Sequence, residues 1–339
     1  MSKTNLSELA DLIYPKSKGL KKIKKKARFY FWAATNGKAI EAMTTLFAND
    51  NLKPILANNP EILEKPLKPF LCVNWSNSER IKHITEHYQY IDDTFGENSN
   101  AIISSKGITI LDFESLNGDT YRVQLYRGAS REGGLGIRLV NDKEQSVYAL
   151  ACNISGTTTK TMHIGMLQGP RDSIEDRHAL IKVLTKSLHG LRTKSLLVEM
   201  ALMLARVLGV DEVKAISNKG HIYQALRYIG SKRSSVTFDY DGLWDEFEAT
   251  KIDTYFYGLP VFTPRKDPLT LKKTKRKMYT KRYQWLDDSE IAMANNLAPW
   301  LMNPPAIQSS ANVIDDIING ATDSTINSTD NTVEHTQAA

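Results

Sequence analysis

The chain has 339 residues, 41% of them hydrophobic and 24% charged, ordinary proportions for a globular protein that buries an ample core. No apolar run approaches the ~20 residues that a membrane span needs, and the opening stretch MSKTNLSELADLIYPKSKGLKK has no apolar core followed by a cleavage site. The net charge of +6 hides a split: residues 303–339 hold five acidic and no basic side chains, which leaves 44 basic and 33 acidic in residues 1–302. That excess suits an acidic partner, whether nucleic acid, an anionic lipid surface or a phosphorylated cofactor, and does not choose among them. Cys72 and Cys152 stand far apart in the apolar contexts PFLCVNW and YALACNI, which points to buried thiols and a reducing cytoplasm rather than a disulfide.

Residues 1–100 read as a helical N-terminal region. Lys16 to Arg28 holds eight basic residues and runs straight into Phe29, Tyr30, Phe31 and Trp32. Such a helix can lie on an anionic membrane or touch nucleic acid. The plainer reading, a solvated basic face with the aromatics packed on the core, is preferred. Pro54, Pro60, Pro66 and Pro69 then break the chain into short pieces before a helix near Ser78–Tyr88. His83 and His87 in that helix have the i, i+4 spacing of a two-histidine metal site, but no third ligand stands nearby, so chance pairing on an exposed helix is preferred and no metal is expected.

From Ile108 the period changes. Ile108–Phe113, Tyr121–Tyr126, Leu135–Val140, Val147–Asn153 and Met162–Leu167 are short apolar runs, with turn signals at Asn117-Gly118, Gly133-Gly134 and Asn141-Asp142. They predict an antiparallel meander. The stretch from Thr161 to Tyr228 then reads strand, helix, helix, strand, helix. Its first strand is ended by Gln168-Gly169-Pro170, and Asp172 or Ser173 is placed to cap the next helix. Leu197, Met200, Leu204 and Leu208 give the following helix its apolar face, Gly209 ends it, Val213–Ile216 is a second buried strand, and HIYQALRY reads as a helix. Runs of strands followed by crossovers indicate an α+β fold. There is no GxGxxG, GxxxxGK[ST], GxSxG, HExxH or CxxC motif, so the corresponding nucleotide-binding, hydrolase, zinc-protease and thiol-redox chemistries have no support.

The helix from Ser173 to His189 lines up His178, Lys182, Thr185 and His189. Either His189, or His163 on the preceding strand, has the chemistry of a general base near neutral pH, although packing or capping roles account for both. Asp239, Asp241, Asp245 and Glu246 crowd around Trp244 and read best as exposed acids about a buried ring. Seven of the eleven residues from Lys272 to Arg282 are basic, with Tyr279, Tyr283 and Trp285 close by. That pattern serves phosphate backbones or simply a solvated helix docked on the sheet. The acidic tail, 303–339, is expected to be disordered.

The phrases IGMLQGPRD, LTKSLHGLRTKSLL, ALMLARVLGVDEVKAISNKGH, YDGLWDEF, YFYGLPV and KRKMYTKRYQWLDD resemble the VirK/YbjX family of enterobacterial proteins over roughly Leu20–Leu301. The resemblance implies a role in virulence, envelope stress or tolerance of antimicrobial peptides. It implies no chemical activity.

The order meander, strand, Gly-containing turn, helix, strand, helix also resembles the GNAT superfamily of N-acetyltransferases, in which the turn and the helix N-terminus hold the pyrophosphate of an acyl-CoA. The resemblance places Gln168, Gly169 and Arg171, with Asn218, at the donor site and Tyr228 (or Tyr223) as the acid that protonates the departing thiolate. An acyl-CoA or acyl-carrier donor is the implied cofactor class. The usual Q/R-x-x-G-x-G/A loop is absent, Pro170 removes a donor N–H, and Ser231 stands where a Phe is usual. The expectation is a central, mostly antiparallel sheet with flanking helices over 101–302, GNAT-like, preceded by the helical region 1–100. The alternative function is a non-enzymatic protein binding nucleic acid or anionic lipid through Lys16–Arg28 and Lys272–Arg282.

Overall fold

The N-terminal helices come before the sheet and close over part of it. A computed structural model describes residues 6–15, 18–170, 174–225 and 238–304; the expected acidic tail, from residue 305 on, and the expected cap at Asp172 or Ser173 lie outside them. α1 (Leu6–Ile13), α2 (Gly19–Thr35), α3 (Gly37–Leu46) and α4 (Lys53–Asn58) lead through a 3₁₀ turn to the long α5 (Asn77–Phe95) and the short α6 (Ser99–Ile102). α5 starts where its sequence says it should. The Ser76 hydroxyl accepts from the Glu79 N–H at 3.3 Å, and the Glu79 carboxylate accepts from the Ser76 N–H at 2.7 Å, a capping box that satisfies two end donors at once.

Five strands follow as a meander: β1 (Ile108–Glu114), β2 (Thr120–Arg127), β3 (Leu135–Val140), β4 (Ser146–Ser155) and β5 (Thr161–Gln168). α7 (Arg177–Ser187) and α8 (Thr193–Val207) cross to β6 (Glu212–Ile216), and α9 (Tyr240–Asp245) leads to β7 (Thr250–Lys251) and β8 (Phe256–Leu259). α10 (Lys273–Leu297) closes the described chain. The sheet has the order β1-β2-β3-β4-β5-β6-β8-β7, and every pairing is antiparallel except β5 with β6. The fold is therefore α+β with a mostly antiparallel sheet. Residues up to Asn303 form one compact unit.

β4 is buried at all but two of its positions and β5 at all but two, the pattern of strands covered on both sides. α5 lies over the face bearing Asn153, Ser155 and His163: Asn153 Nδ2 donates to the His83 carbonyl at 2.9 Å. α8 packs along β3, β4 and β5 and against α10, with Leu196 to Ala205 buried throughout. Fully burying a Leu or Met is worth roughly 1.5–3 kcal/mol, so this helix is a main anchor of the core. α10 runs beside β1, where Asn296 Nδ2 donates to the Ile110 carbonyl at 3.3 Å and Trp285 meets the Phe113 ring edge-on at 5.5 Å.

Two local expectations change. α7 is capped by Asp176, whose carboxylate accepts from the Ala179 N–H at 3.1 Å. The segment from His221 to Tyr228 is no α-helix in its described half: one 3₁₀ turn, Ile222–Gln224, is flanked by extended backbone at His221 (ψ 136°) and Ala225 (ψ 141°). His221 bridges to Cys72 in β fashion, and this tertiary pairing overrides local helix propensity.

Candidate active site at the end of strand β5

β5 and β6 run together only over Thr161–Ile164, opposite Glu212 to Ala215. β5 then continues to Gln168 without a strand on that side. The edge so vacated is met by Tyr240: the Leu167 N–H donates to the Tyr240 hydroxyl at 3.3 Å, and the hydroxyl donates in turn to the Leu167 carbonyl at 3.4 Å. α9 holds Tyr240 there. Trp244, fully buried, donates its indole N–H to the Ile216 carbonyl at 2.7 Å. Asn218, a predicted donor-site residue, is spent on the same helix: its N–H donates to Asp241 at 2.7 Å, its side-chain oxygen accepts from the Tyr240 N–H at 2.8 Å, and its Nδ2 donates to Asp239 at 2.9 Å. Asp239 also caps the helix, and Glu246 pairs with Arg192 and Lys194, so this acidic group is tied into local structure.

Beside the parting strands lies a carboxyl, a phenol and an imidazole. Residues 128–134 fold against β5 at Gly165, where a Cβ would overlap the Glu132 carbonyl oxygen and press on Leu71. The Glu132 side chain is buried and hydrogen-bonded to Tyr223. Burial pushes the Glu132 carboxyl up, opposed by the Tyr223 bond and Arg131. Burial and the neighbouring Glu132 push the Tyr223 phenol up to about 12. His221, buried, is stacked 5.5 Å from the Tyr240 ring and edge-on to Tyr223 at 5.0 Å. Burial lowers its pKa to about 4, so it is a neutral imidazole at pH 7. Its Nδ1 accepts from the Tyr223 N–H at 3.3 Å. Tyr223 was legible as a candidate acid. Glu132 and His221 carry no sequence signal, because the loop and the Cys72 bridge that bring them together are tertiary features.

A cavity of about 330 Å³, bordered by the first residues of the same loop, opens at the end of β5. Gln168 and Gly169, two of the predicted donor-site residues, line it together with Arg127, Arg138 and residues 128–130. Arg138 is fixed in place. It lies over the Tyr126 ring at 4.5 Å and donates to Gln124 Oε1 and the Lys106 carbonyl, each at 2.9 Å. Two arginines against one acid, Glu61, in the lining leave an excess of positive charge that suits an anionic ligand. Arg171 and Tyr228, predicted to hold the donor and protonate its thiolate, lie outside the described residues.

The other predicted bases are elsewhere. His163 sits in an aromatic cage made by Trp75 at 5.4 Å, Phe256 at 5.6 Å and His83 at 5.1 Å. Its pKa lies well below the ordinary value, through burial and then the charges of His83 and Lys214, so it is a poor proton acceptor. Five strand residues, about 16 Å, separate it from Gln168. His83 stacks on Trp75 at 4.1 Å and its Nδ1 lies 2.8 Å from the Ser155 hydroxyl, while His87 is fully buried, its Nδ1 accepting from the Ile154 N–H at 3.1 Å. The face that carries both histidines is thus turned inward, not exposed. Among the described residues no group of three or more His, Cys, Asp or Glu side chains is placed to hold a metal ion. His189 lies just past α7 with φ 50°, and its carbonyl accepts from Arg282 at 3.2 and 3.0 Å. It borders a separate groove of about 1090 Å³ between α7 and α10, with Lys186, Lys277 and Lys281. Burial, then Lys281 and Arg282, lower its pKa.

The family described as "Protein of unknown function (DUF535)" matches residues 18–295. The chain belongs to the DUF535 family. It is 29% identical over 262 residues to the uncharacterized protein YbjX of Escherichia coli K12, covering 76% of this chain and 78% of that protein. An uncharacterized protein of Haemophilus influenzae is 26% identical over 281 residues, covering 81% of this chain and 92% of its own length. The VirK/YbjX resemblance read from the long ungapped phrases is thereby shown. No helix among the described residues is long and apolar enough to cross a membrane.

Proposed function

We propose that this DUF535 chain is an acyltransferase-like protein that takes an acyl-CoA or acyl-carrier donor in the cavity at the end of β5 and acts from the cytoplasm in envelope stress, virulence or tolerance of antimicrobial peptides. One observation carries the reading. The parallel pairing stops at Ile164 while β5 runs on to Gln168, and at the end of that strand lies a cavity lined by Arg127, Arg138, Gln168 and Gly169, with the buried Glu132–Tyr223 pair on the neighbouring loop. In this reading Arg127, with Gln168, Gly169 and Arg171, receives the phosphate-bearing end of the donor. The acceptor's nucleophile loses its proton to Glu132, whose carboxyl burial makes a stronger base than an exposed one. The new acyl bond forms as the carbon–sulfur bond breaks, and the thiolate takes its proton from Tyr228 or Tyr223. The meander, the strand ended by a glycine turn and the parallel partner reached across helices follow the order on which the GNAT resemblance rests.

Calorimetric titration of the full chain with acetyl-CoA and with a long-chain acyl-CoA, at two salt concentrations, tests it. Saturable one-to-one binding is expected, weakened by Arg127→Glu and Arg171→Glu, with turnover rather than affinity reduced by Tyr223→Phe or Tyr228→Phe. No heat with either ligand, together with no transfer from an acyl-carrier donor, overturns it.

A further inference from the structure

α2 turns an apolar stripe to solvent. Leu20, Ile23 and Phe31 are 76%, 62% and 67% exposed, and Ala27 and Ala34 between and beyond them are exposed too. Steps of three and four residues put all five on one face of the helix. The opposite side fastens the helix to the body. Phe29 and Ala33 are buried, and Lys22 and Lys26 pair with Asp11 of α1 at 3.0 and 2.6 Å. Lys21, Lys24 and Arg28, all exposed, run along one flank of the stripe, and the helix sequence GLKKIKKKARFYFWAAT has no acidic residue. The expected packing of the aromatic cluster on the core therefore holds for Phe29 but not for Phe31.

Apolar side chains exposed singly need no explanation. A continuous row of them on a helix with only cationic charge is the pattern of a helix that lies in the plane of a membrane interface. We propose that α2 docks the protein on an anionic lipid surface, with Leu20, Ile23 and Phe31 entering the boundary between headgroups and acyl chains and Lys21, Lys24 and Arg28 meeting lipid phosphates. Charge complementarity selects an anionic surface. The apolar row selects lipid over nucleic acid, whose phosphates need the cations but gain nothing from Leu20 and Ile23 facing outward. This surface shares no residue with the β5 site, so the inference stands apart from the acyl-transfer reading.

The test is co-sedimentation of the full chain with vesicles of phosphatidylcholine alone and of phosphatidylcholine mixed with phosphatidylglycerol. Partition into the mixed vesicles, weakening as salt rises, is expected. Leu20→Ser/Ile23→Ser/Phe31→Ser should lower it roughly tenfold or more even at low salt, and Lys21→Glu/Lys24→Glu/Arg28→Glu should abolish it. Both sets lie on exposed positions, so unchanged melting is the control, and the single Leu20→Asp gives a second reading should a triple variant melt early. Three results overturn the proposal: no partition into mixed vesicles, partition indifferent to the apolar substitutions, or displacement from vesicles by duplex RNA to the same degree in wild type and apolar variant. Acyl-CoA titration of the same variants should match wild type, which keeps failure here distinct from failure at β5.

Discussion

The Tyr240 hydroxyl occupies the place beside Leu167 where a continuing β6 would have supplied the backbone partner. A buried peptide group left without a partner costs about 1–3 kcal/mol. Tyr240→Phe should therefore lower stability by about that amount, seen as a lower urea midpoint at unchanged slope. A midpoint equal to wild type would mean that Leu167 is satisfied by something else.

Gly165→Ala is expected to be harmful for a different reason. The added methyl meets the Glu132 carbonyl oxygen, which is backbone, and Leu71. Overpacking of this kind costs about 1–3 kcal/mol, and relief requires residues 128–134 to move away from β5. Reduced melting temperature together with weakened acyl-CoA binding is the expected pair of results. Normal donor binding in a destabilised variant would separate this loop from the proposed site.

Acid should loosen the fold well before carboxylates titrate in bulk. Burial holds His83 near a pKa of about 4, His87 about 3 and His221 about 4. These folded values lie below the ordinary one of about 6.5, so the unfolded chain takes up protons first as pH falls. The contribution of each histidine is whole above about pH 6.5 and is lost between there and its folded value, about 4 for His83 and His221 and about 3 for His87, at up to about 1.4 kcal/mol per pH unit. Glu132 and Glu199, raised by burial, work the other way, their contribution being present at low pH and lost as pH rises through their folded values. They offset the histidines in part. The melting temperature should fall from pH 7 to pH 5, and His221→Asn should make that fall shallower; a flat profile in wild type would contradict the burial of these rings.

Lys65 is an unusual cation to find inside. It is 5% exposed, its ammonium lies 3.3 Å from the Tyr88 hydroxyl and over the Phe70 and Tyr88 rings, and burial, then Arg127, lower its pKa to about 7. Because the folded value is below the ordinary 10.5, stability on this account is whole at alkaline pH and is lost as pH falls toward 7. Lys65→Met, of similar length, should stabilise the protein at pH 7 by about 1 kcal/mol or more and flatten the melting profile between pH 7 and 10. Destabilisation would show that the cation is needed where it is.

The five meander strands were legible because short apolar runs and turn residues punctuate them: the run Ile108–Phe113 became β1, Ile108–Glu114, and Asn117-Gly118 did make the hairpin, with Gly118 at φ 83°. The second strand of the crossover was equally plain. What escaped the sequence was set by distant partners. His221 left the helix its neighbours favour because it bridges to Cys72. His83 and His87 went inward because their face of α5 is the one that β4 covers. Of the four aromatics after Arg28, nothing local distinguishes Phe29, which is buried, from Phe31, which is not. At the cavity, the neighbouring positions of Gln168 and Gly169 could be read because a strand end and its turn are adjacent in sequence. Glu132, Tyr223 and His221 meet only once the loop before β3 has folded across β5.

The single parallel seam also divides the sheet by when its parts can form. β1 to β5 join neighbour to neighbour through short turns, so that wing closes through local contacts, whereas β6 reaches β5 only after α7 and α8 have been threaded between them. Long-range closure of this kind comes late in assembly and opens early in partial unfolding. Four residues a side hold the seam, and the vacated edge of β5 begins where they stop. The part of the sheet most ready to yield is thus the part that Tyr240 holds in place of a strand.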